Sequence, residues 1–212
     1  IFWFGVMSKK LIIAFEGVEG SGKSFHLKQV AKYLKSKKIK FLTLREPGGS
    51  KNAEKIRKLI LNNKSNFNKK TDLLLYLASR NENIENIIKK NYKKRIILID
   101  RFIDSTLAYQ HYGMGINKSV INRFNDYLLE KIKVDFTFLN LVNMTNLKLR
   151  LSKRKNLNRY DNFKISVYKK IQNGFIKITK KNKKKYLLIN SNDSINKNKK
   201  IILDKTNKLL GL

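Results

Sequence analysis

Residues 17–24 read GVEGSGKS and directly follow an apolar run at residues 11–15. The spacing Gly-x-x-x-x-Gly-Lys-Ser behind a buried strand is typical of a phosphate-binding loop that opens a helix. In that pattern Lys23 reaches the β- and γ-phosphates, and the Ser24 hydroxyl binds Mg²⁺. The loop residues expected to surround the phosphates with backbone amides are Gly17, Glu19, Gly20, Ser21 and Gly22. The stretch therefore predicts a strand–loop–helix unit that binds a polyphosphate together with Mg²⁺.

The rest of the chain alternates between strand-like and helix-like patterns. Apolar runs rich in β-branched residues recur at residues 11–15, 39–44, 96–99, 136–141 and 186–189. Helical patterns occupy residues 24–35, 52–62, 71–90, 118–131, 145–155, 162–180 and 194–210. Such alternation requires crossover connections, and it predicts an α/β fold with a five-stranded parallel sheet flanked by helices. Ligands of such sheets bind at the carboxyl ends of the strands, which is where the phosphate-binding loop lies.

Length and cysteine content bound the class of protein. The 212 residues suit one domain, which we predict over residues 7–212, after an upstream extension or cloning remnant at residues 1–6. Residues 1–6 are apolar but too short for a signal peptide or a membrane span. The chain has no cysteine, which excludes disulfides and thiolate metal sites and fits the reducing cytoplasm.

The chain is strongly basic, with 48 Lys and Arg against 15 Asp and Glu and a net charge of +33. Such a charge ordinarily suggests a nucleic-acid partner. Here lysine is accompanied by abundant asparagine and isoleucine and by a single proline, a joint bias spread over the chain. We interpret the charge as a solvated, compositionally biased surface, with a polyanion-binding tail after residue 150 as the alternative.

Two further loops carry chemistry, and each follows a predicted strand. REPGG at residues 45–49 contains the only proline, which would fix a turn that aims Arg45 into the cleft. DRF at residues 100–102 follows the third strand. There Asp100 can support the hydration shell of Mg²⁺, and Arg101 can bind a second phosphate.

A helical pattern between these loops places Tyr76 and Arg80 four residues apart on one face. Taken in order, the motifs of this chain resemble those of the thymidylate kinase family, whose members transfer a phosphoryl group from ATP to dTMP. These motifs are the phosphate-binding loop, REPGG, this pair, DRF-x-x-S-x-x-AYQ at residues 100–110 and a basic segment at residues 150–159. The resemblance covers residues 7–212. It implies a P-loop nucleoside-monophosphate-kinase fold with a helical lid at about residues 145–162, Mg²⁺, a homodimer in the cytoplasm, and neither a membrane nor a nucleic-acid partner.

The resemblance also assigns a dTMP site, at Glu19, Arg45, Pro47, Tyr76, Arg80, Arg101, Ser105, Tyr109 and Gln110. Within it, Arg45 and Arg101 match the arginines that bind the acceptor phosphate. Tyr76 matches the aromatic that stacks on thymine, and Arg80 the residue that reaches the base edge. Tyr109 matches the position that crowds out a ribose 2′-hydroxyl, and the remaining residues match the nucleoside pocket, with the Glu19 carboxylate near the 3′-hydroxyl.

The lid is the other feature that the resemblance identifies. Gly20 stands where one type of the family carries an arginine, so the cation over ATP is expected from the basic segment, at Arg150, Arg154 or Arg159. We expect Arg154 to contribute most, because it lies where the lid helix ends. Asp161 stands where the family usually has glutamate. The catalytic residues expected overall are Glu19, Lys23, Arg101, Arg150 and Arg154.

Two other functions share part of this pattern. A deoxynucleoside kinase would use Glu46 as the general base for a 5′-hydroxyl, but Arg45 and the Gly-Gly pair favour a phosphate acceptor, which is a dianion and needs no base. A nucleic-acid-binding P-loop ATPase would suit the positive charge. It would need a second acidic residue after Asp100, where this chain has Arg101.

Overall fold

The computed structural model describes residues 10–155 and 157–212. Its strands form one sheet, with bounds β1 Ile12–Glu16, β2 Phe41–Arg45, β3 Ile96–Asp100, β4 Phe136–Leu141 and β5 Tyr186–Asn190. The strands pair in parallel in the order β2-β3-β1-β4-β5. The predicted five-stranded parallel sheet is confirmed. The extension predicted at residues 1–6 lies outside the described residues.

The α-helices lie between and after the strands, with bounds α1 Lys23–Ser36, α2 Lys51–Leu61, α3 Lys69–Asn83, α4 Lys89–Asn91, α5 Ile103–Thr106, α6 Lys118–Leu129, α7 Met144–Ser152, α8 Ile165–Thr179 and α9 Ile195–Leu210. A π-helical segment, Ile84–Ile88, joins α3 to α4, and another, Leu107–Gly113, continues α5. A short 3₁₀ turn, Lys183–Lys185, precedes β5. None of the described helices is long and apolar enough to cross a membrane.

Several helices begin at a residue whose side chain accepts a hydrogen bond from a backbone amide of the first turn. These N-cap residues are Ser50, Asn68, Asn117, Asn143 and Ser194. Each such cap stabilises its helix by about 1 kcal/mol. The observed starts of these helices lie within two positions of the starts that the helical patterns predicted.

One helix was not predicted. We expected the residues after the third strand to form a loop, but residues 103–113 are helical, first as α5 and then as the π-helical segment. Its N-cap residue, Phe102, has no capping side chain, so the sequence contains no start signal. The acceptor for the first amides is Glu16 of β1, which lies far away in the chain.

The sheet is buried on both faces, and β1 lies at its centre with every residue buried. Ile13 and Phe15 pack towards α1 and α9 on one face, while Ile12 and Ala14 pack on the opposite face. Burying one large apolar side chain stabilises the fold by about 1.5–3 kcal/mol. The strand that carries the phosphate-binding loop is therefore anchored in the buried centre of the sheet.

Candidate active site

The carboxyl ends of the strands border a cleft with a volume of about 1130 Å³. It is lined by most residues that the sequence assigned to ligands: Glu19, Gly20, Gly22, Lys23, Ser24, Arg45, Pro47, Tyr76, Arg80, Asp100, Arg101, Ser105, Tyr109, Gln110, Arg150 and Arg154. The fold thus brings motifs that are far apart in the chain to one place. Gly17 and Ser21 belong to the loop but do not line the cleft.

The phosphate-binding loop has a backbone that its glycines permit. Gly17, Gly20 and Gly22 have φ angles of +138°, +70° and +89°, which residues with a side chain rarely adopt. A methyl group on Gly17 would also collide with the carbonyl oxygen of Asn140. Gly22 is the N-cap of α1, so the positive end of the helix dipole lies at the loop.

Lys23 is the first residue of α1 and is buried, with its Nζ 3.4 Å from the carbonyl oxygen of Val18. Burial disfavours its charged form and the Arg101 guanidinium repels it, so its pKa is lowered to about 8. Asp100 and Glu19 act in the opposite direction. Because a polyphosphate beside Lys23 would favour the charged form, its binding should raise this pKa.

Ser24 and Asp100 bring two oxygen donors together beside the loop. The Ser24 hydroxyl donates to the Asp100 carboxylate. Within residues 10–155 and 157–212, no three His, Cys, Asp or Glu side chains form a group that could hold a metal. Mg²⁺ characteristically takes one or two protein oxygens together with phosphates and water, so this donor set fits Mg²⁺ shared with a nucleotide.

Arg101 has a left-handed backbone conformation, with φ of +66°. Its guanidinium donates to the Gly17 carbonyl and to Glu19, each at 2.8 Å, and to the Ser105 hydroxyl at 3.3 Å. Its central carbon lies 5.1 Å from the ring centre of Tyr109, whose hydroxyl donates to Glu19. Burial opposes the charge on Arg101, but Glu19, Tyr109, Asp100 and Glu16 together outweigh burial and raise the pKa. Arg101 therefore stays positively charged directly below the phosphate-binding loop.

Arg45 ends β2 at the edge of the cleft, with 55% of its side chain exposed. Its guanidinium donates to both carboxylate oxygens of Glu54, at 2.8 and 3.1 Å. The next turn contains the Glu46–Pro47 peptide bond in the cis form, and Arg57 donates to the Pro47 carbonyl at 2.6 Å. Because an exposed ion pair contributes only about 0–1 kcal/mol, Arg45 can exchange Glu54 for a phosphate at little cost.

Arg80 is almost completely buried. Its guanidinium donates to Glu46 at 2.9 Å, to Asn125 at 2.7 Å and to Thr106 at 2.9 Å, which uses three of its five N–H donors. Burial raises the pKa of Glu46, and Arg80 opposes this rise. The carboxylate that a deoxynucleoside kinase would use as its base is therefore bound to an arginine in the wall of the cleft.

The lid segment brings two arginines to the cleft. Arg150 of α7 donates to the Gly20 carbonyl at 2.9 Å and to the Ser191 carbonyl at 2.6 Å. Arg154, just beyond α7, is 42% exposed at its side chain and pairs with the buried carboxylate of Asp161. Both arginines line the cleft, and Arg150 contacts the phosphate-binding loop directly.

Arg159, the third basic residue expected over ATP, does not line the cleft. Its guanidinium pairs with Asp72 of α3, and its Nε donates to the Ile60 carbonyl of α2 at 2.5 Å. The Tyr160 hydroxyl also contacts Asp72, at 3.1 Å. In this structure Arg159 fastens the end of the lid to the helices beneath it. The spacing of arginines along the chain could not reveal this, because Asp72 lies far away in the sequence.

Comparison with known proteins decides the family. The family model for thymidylate kinase matches residues 15–202 of the chain. This chain belongs to the thymidylate kinase family. The thymidylate kinase of Thermosipho africanus is 40% identical over 171 residues, covering 80% of this chain and 85% of that protein. The thymidylate kinase of Clostridium novyi is 36% identical over 197 residues, covering 90% and 95%. The crystal structure of thymidylate kinase from Ehrlichia chaffeensis superposes with a TM-score of 0.75 at 30% identity and covers 92% of this chain and 97% of that chain.

Membership of the thymidylate kinase family confirms the predicted fold and reaction. The enzyme transfers a phosphoryl group from ATP to dTMP, giving ADP and dTDP. Neither a deoxynucleoside kinase nor a nucleic-acid-binding ATPase is favoured by these comparisons. The roles of individual residues in this enzyme stay predictions.

One residue in the cleft and one beside it had not been predicted. Tyr160 is 3% exposed and lines the cleft edge-on to Tyr76 and Tyr109, with ring centres 5.9 and 6.4 Å apart. Its only sequence signal was its place in the predicted lid. Glu16 lies beneath Arg101 and accepts hydrogen bonds from residues at the start of α5. Its signal was a carboxylate that ends an otherwise apolar strand.

Proposed function

We propose that the cleft transfers the γ-phosphoryl group of ATP to dTMP by holding two polyanions in line, with separate cations for each. One observation carries the proposal: Arg101, an arginine held in the charged form, donates to the Gly17 carbonyl of the phosphate-binding loop itself. A phosphate on Arg101 would therefore lie next to the terminal phosphate of ATP. Such alignment and charge stabilisation account for most of the catalysis of phosphoryl transfer.

The donor side uses the loop and its lysine. Backbone amides of residues 17–24 surround the phosphates, and Lys23 contacts the β- and γ-phosphates. Ser24 and Asp100 would hold Mg²⁺, since their oxygens already lie together. When bound, Mg²⁺ supplies charge neutralisation between the phosphates of ATP.

The acceptor side uses Arg101 and Arg45 on the phosphate of dTMP. Arg101 is held by Glu19, whose carboxylate would also lie near the 3′-hydroxyl. Arg45 leaves Glu54 for the phosphate, as their exposed pairing allows. Since dTMP carries two negative charges at neutral pH, these cations replace the general base that a hydroxyl acceptor would need.

The nucleoside side uses aromatic rings and one amide. Tyr76 offers a plane for thymine, with Pro47 nearby, and Tyr109 limits the space at C2′. Gln110 is buried and its Nε2 has no hydrogen-bond partner among the described residues. A buried donor without a partner costs about 1–3 kcal/mol, so a carbonyl of the base would be bound favourably there. Ser105 and Arg80 complete the wall of this pocket.

The lid supplies the cations over the transferring group. Arg154 would leave Asp161 and contact the γ-phosphoryl, while Arg150 would stay beside Gly20. Closing the lid over the cleft would also exclude water, which otherwise hydrolyses ATP.

Substrate choice tests this proposal directly. ADP formation should be measured in a coupled assay with dTMP, UMP, AMP, GMP and thymidine as acceptors. We expect dTMP to exceed UMP and both purine nucleotides by about 100-fold or more in kcat/KM, because a poor steric or polar fit costs several kcal/mol. Comparable rates with AMP would contradict the pocket assignment, and a preference for thymidine over dTMP would contradict the acceptor arginines.

We also propose that the enzyme is a homodimer. Val120, Phe124 and Tyr127 lie on one face of α6 and are 42, 38 and 79% exposed, and Leu74 of the neighbouring α3 is 53% exposed. An exposed apolar face of this kind is typical of an interface. Sedimentation should give a dimer for the wild type and a monomer for Phe124→Glu, with Ile201→Glu on α9 as the control that stays dimeric.

Two further proposals concern context. We infer that residues 7–212 form a single domain, since one sheet and its flanking helices account for the described residues. We also propose that the enzyme acts in the cytoplasm, where ATP is its phosphoryl donor. Limited proteolysis and subcellular fractionation would test these two statements.

A further inference from the structure

Glu16 ends β1 and is only 1% exposed. A buried carboxylate is unfavourable unless hydrogen bonds satisfy it, and the partners of Glu16 all lie at the start of α5. One oxygen accepts from the Phe102 amide at 2.7 Å and from the Ser105 amide at 3.2 Å. The other accepts from the Ser105 hydroxyl at 2.5 Å. Phe102 is the N-cap residue of α5 and has no capping side chain. Glu16, at the end of β1, caps this helix instead.

This cap holds the turn that contains Arg101. A left-handed conformation is unfavourable for a residue with a side chain and persists only where its surroundings fix it. The end of β1 provides both constraints. The Arg101 amide donates to the Phe15 carbonyl at 3.0 Å, and the next amide, that of Phe102, donates to Glu16. The direction of the Arg101 side chain therefore depends on Glu16.

We propose that Glu16 is a positioning residue for dTMP binding, which presets Arg101 and Ser105 by capping α5 across the sheet. Glu16 does not line the main cleft and would not touch the substrate. Its action passes through the backbone of residues 101–105. The inference rests on the proposed role of Arg101 at the acceptor phosphate.

Asp104 provides a matched control. It is also a buried carboxylate, 6% exposed, and lines with Glu16 a second cavity of about 330 Å³ behind the turn. It accepts a hydrogen bond from the Tyr186 hydroxyl at 2.9 Å instead of capping backbone amides. Burial and the nearby Glu16 charge raise its pKa to about 7. Asp104 thus shares the depth of Glu16 and its carboxyl group without its hydrogen bonds to the turn.

Three variants separate position from charge. Glu16→Gln removes the charge and keeps the shape, Glu16→Asp keeps the carboxylate and shortens the reach, and Asp104→Asn removes the neighbouring carboxyl group. Titration calorimetry should measure Kd for dTMP and for ATP with each full-length variant. We expect both Glu16 variants to raise the Kd for dTMP about tenfold. We expect ATP affinity in all three variants, and dTMP affinity in Asp104→Asn, to stay within about twofold of wild type.

The sign of the effect makes the test decisive. If Glu16 acted only through its charge, Glu16→Gln would bind the dTMP dianion more tightly and Glu16→Asp would bind it normally. Either result overturns the inference. Arg101→Met tests the proposed function separately: unchanged dTMP affinity in that variant would refute the acceptor assignment. Weakened binding in Arg101→Met, together with normal binding in both Glu16 variants, would refute only the positioning role. Retained ATP binding shows that each variant is folded.

Discussion

Replacing Arg101 with methionine should have two separable effects. Arg101 and Glu19 form a salt bridge of 2.8 Å in which their side chains are only 14 and 13% exposed. Removing one partner of a buried pair costs about 3–5 kcal/mol, because the other charge stays buried without compensation. We expect Arg101→Met to lower the free energy of unfolding by about 3 kcal/mol, the lower end of this range, since the Tyr109 hydroxyl still donates to Glu19.

The second effect concerns the substrate. Losing the charged partner of a desolvated anion costs about 2–5 kcal/mol of binding free energy. The Kd for dTMP should therefore rise by about 30-fold or more, at roughly 1.4 kcal/mol per factor of ten. ATP affinity should change much less, because Lys23 and the loop amides remain.

A double variant, Arg101→Met with Glu19→Gln, separates folding from binding. Urea denaturation should show that stability largely recovers, because no carboxylate remains buried without its partner. Calorimetry should show that dTMP affinity does not recover. Arg45→Met is the control for stability, since its exposed pair with Glu54 contributes less than about 1 kcal/mol. Wild-type dTMP affinity in Arg101→Met, or an equal loss of ATP affinity, would refute this reasoning.

Three further predictions address the donor side and the specificity of the pocket. Because the pKa of Lys23 in the free enzyme is lowered to about 8, ATP binding should take up protons near that pH, and ATP affinity should weaken as the pH rises above it. Calorimetry in two buffers of different ionisation enthalpy measures the proton uptake, which Lys23→Met should abolish. Arg154→Ala should lower kcat about 1000-fold with little change in the KM for dTMP, whereas Lys155→Ala should leave both near wild type; equal small effects in steady-state assays would remove Arg154 from the mechanism. Tyr109→Ala should narrow the preference for dTMP over UMP by about tenfold or more in kcat/KM, because it opens the space at C2′, and an unchanged ratio would contradict that role.

Local sequence patterns predicted the loop, the sheet and the helices that surround this site. The phosphate-binding loop is a continuous stretch whose glycines have the positive φ angles that the motif requires. The parallel sheet followed from apolar runs that alternate with helical patterns. Helical patterns predicted the starts of α2, α6 and α9 to within one residue. These features depend on neighbours within a few residues, so they can be recognised in the sequence.

Contacts between distant segments decided the rest. Arg159 looked equivalent to Arg150 and Arg154 in the basic segment, but Asp72 binds it outside the cleft. Arg80 stood four residues from Tyr76, yet its guanidinium is bound by side chains from three other elements.

The amino-acid sequence by itself determined the strands, the phosphate-binding loop and the set of motifs that points to dTMP, because each of these features consists of adjacent or regularly spaced residues. Only the tertiary structure decided which arginines face the cleft and how Arg101 is held. A guanidinium binds whichever carboxylate the fold brings within hydrogen-bond distance. The cap of α5 came from Glu16 on β1, since a buried amide donates to any suitable oxygen that the packing supplies.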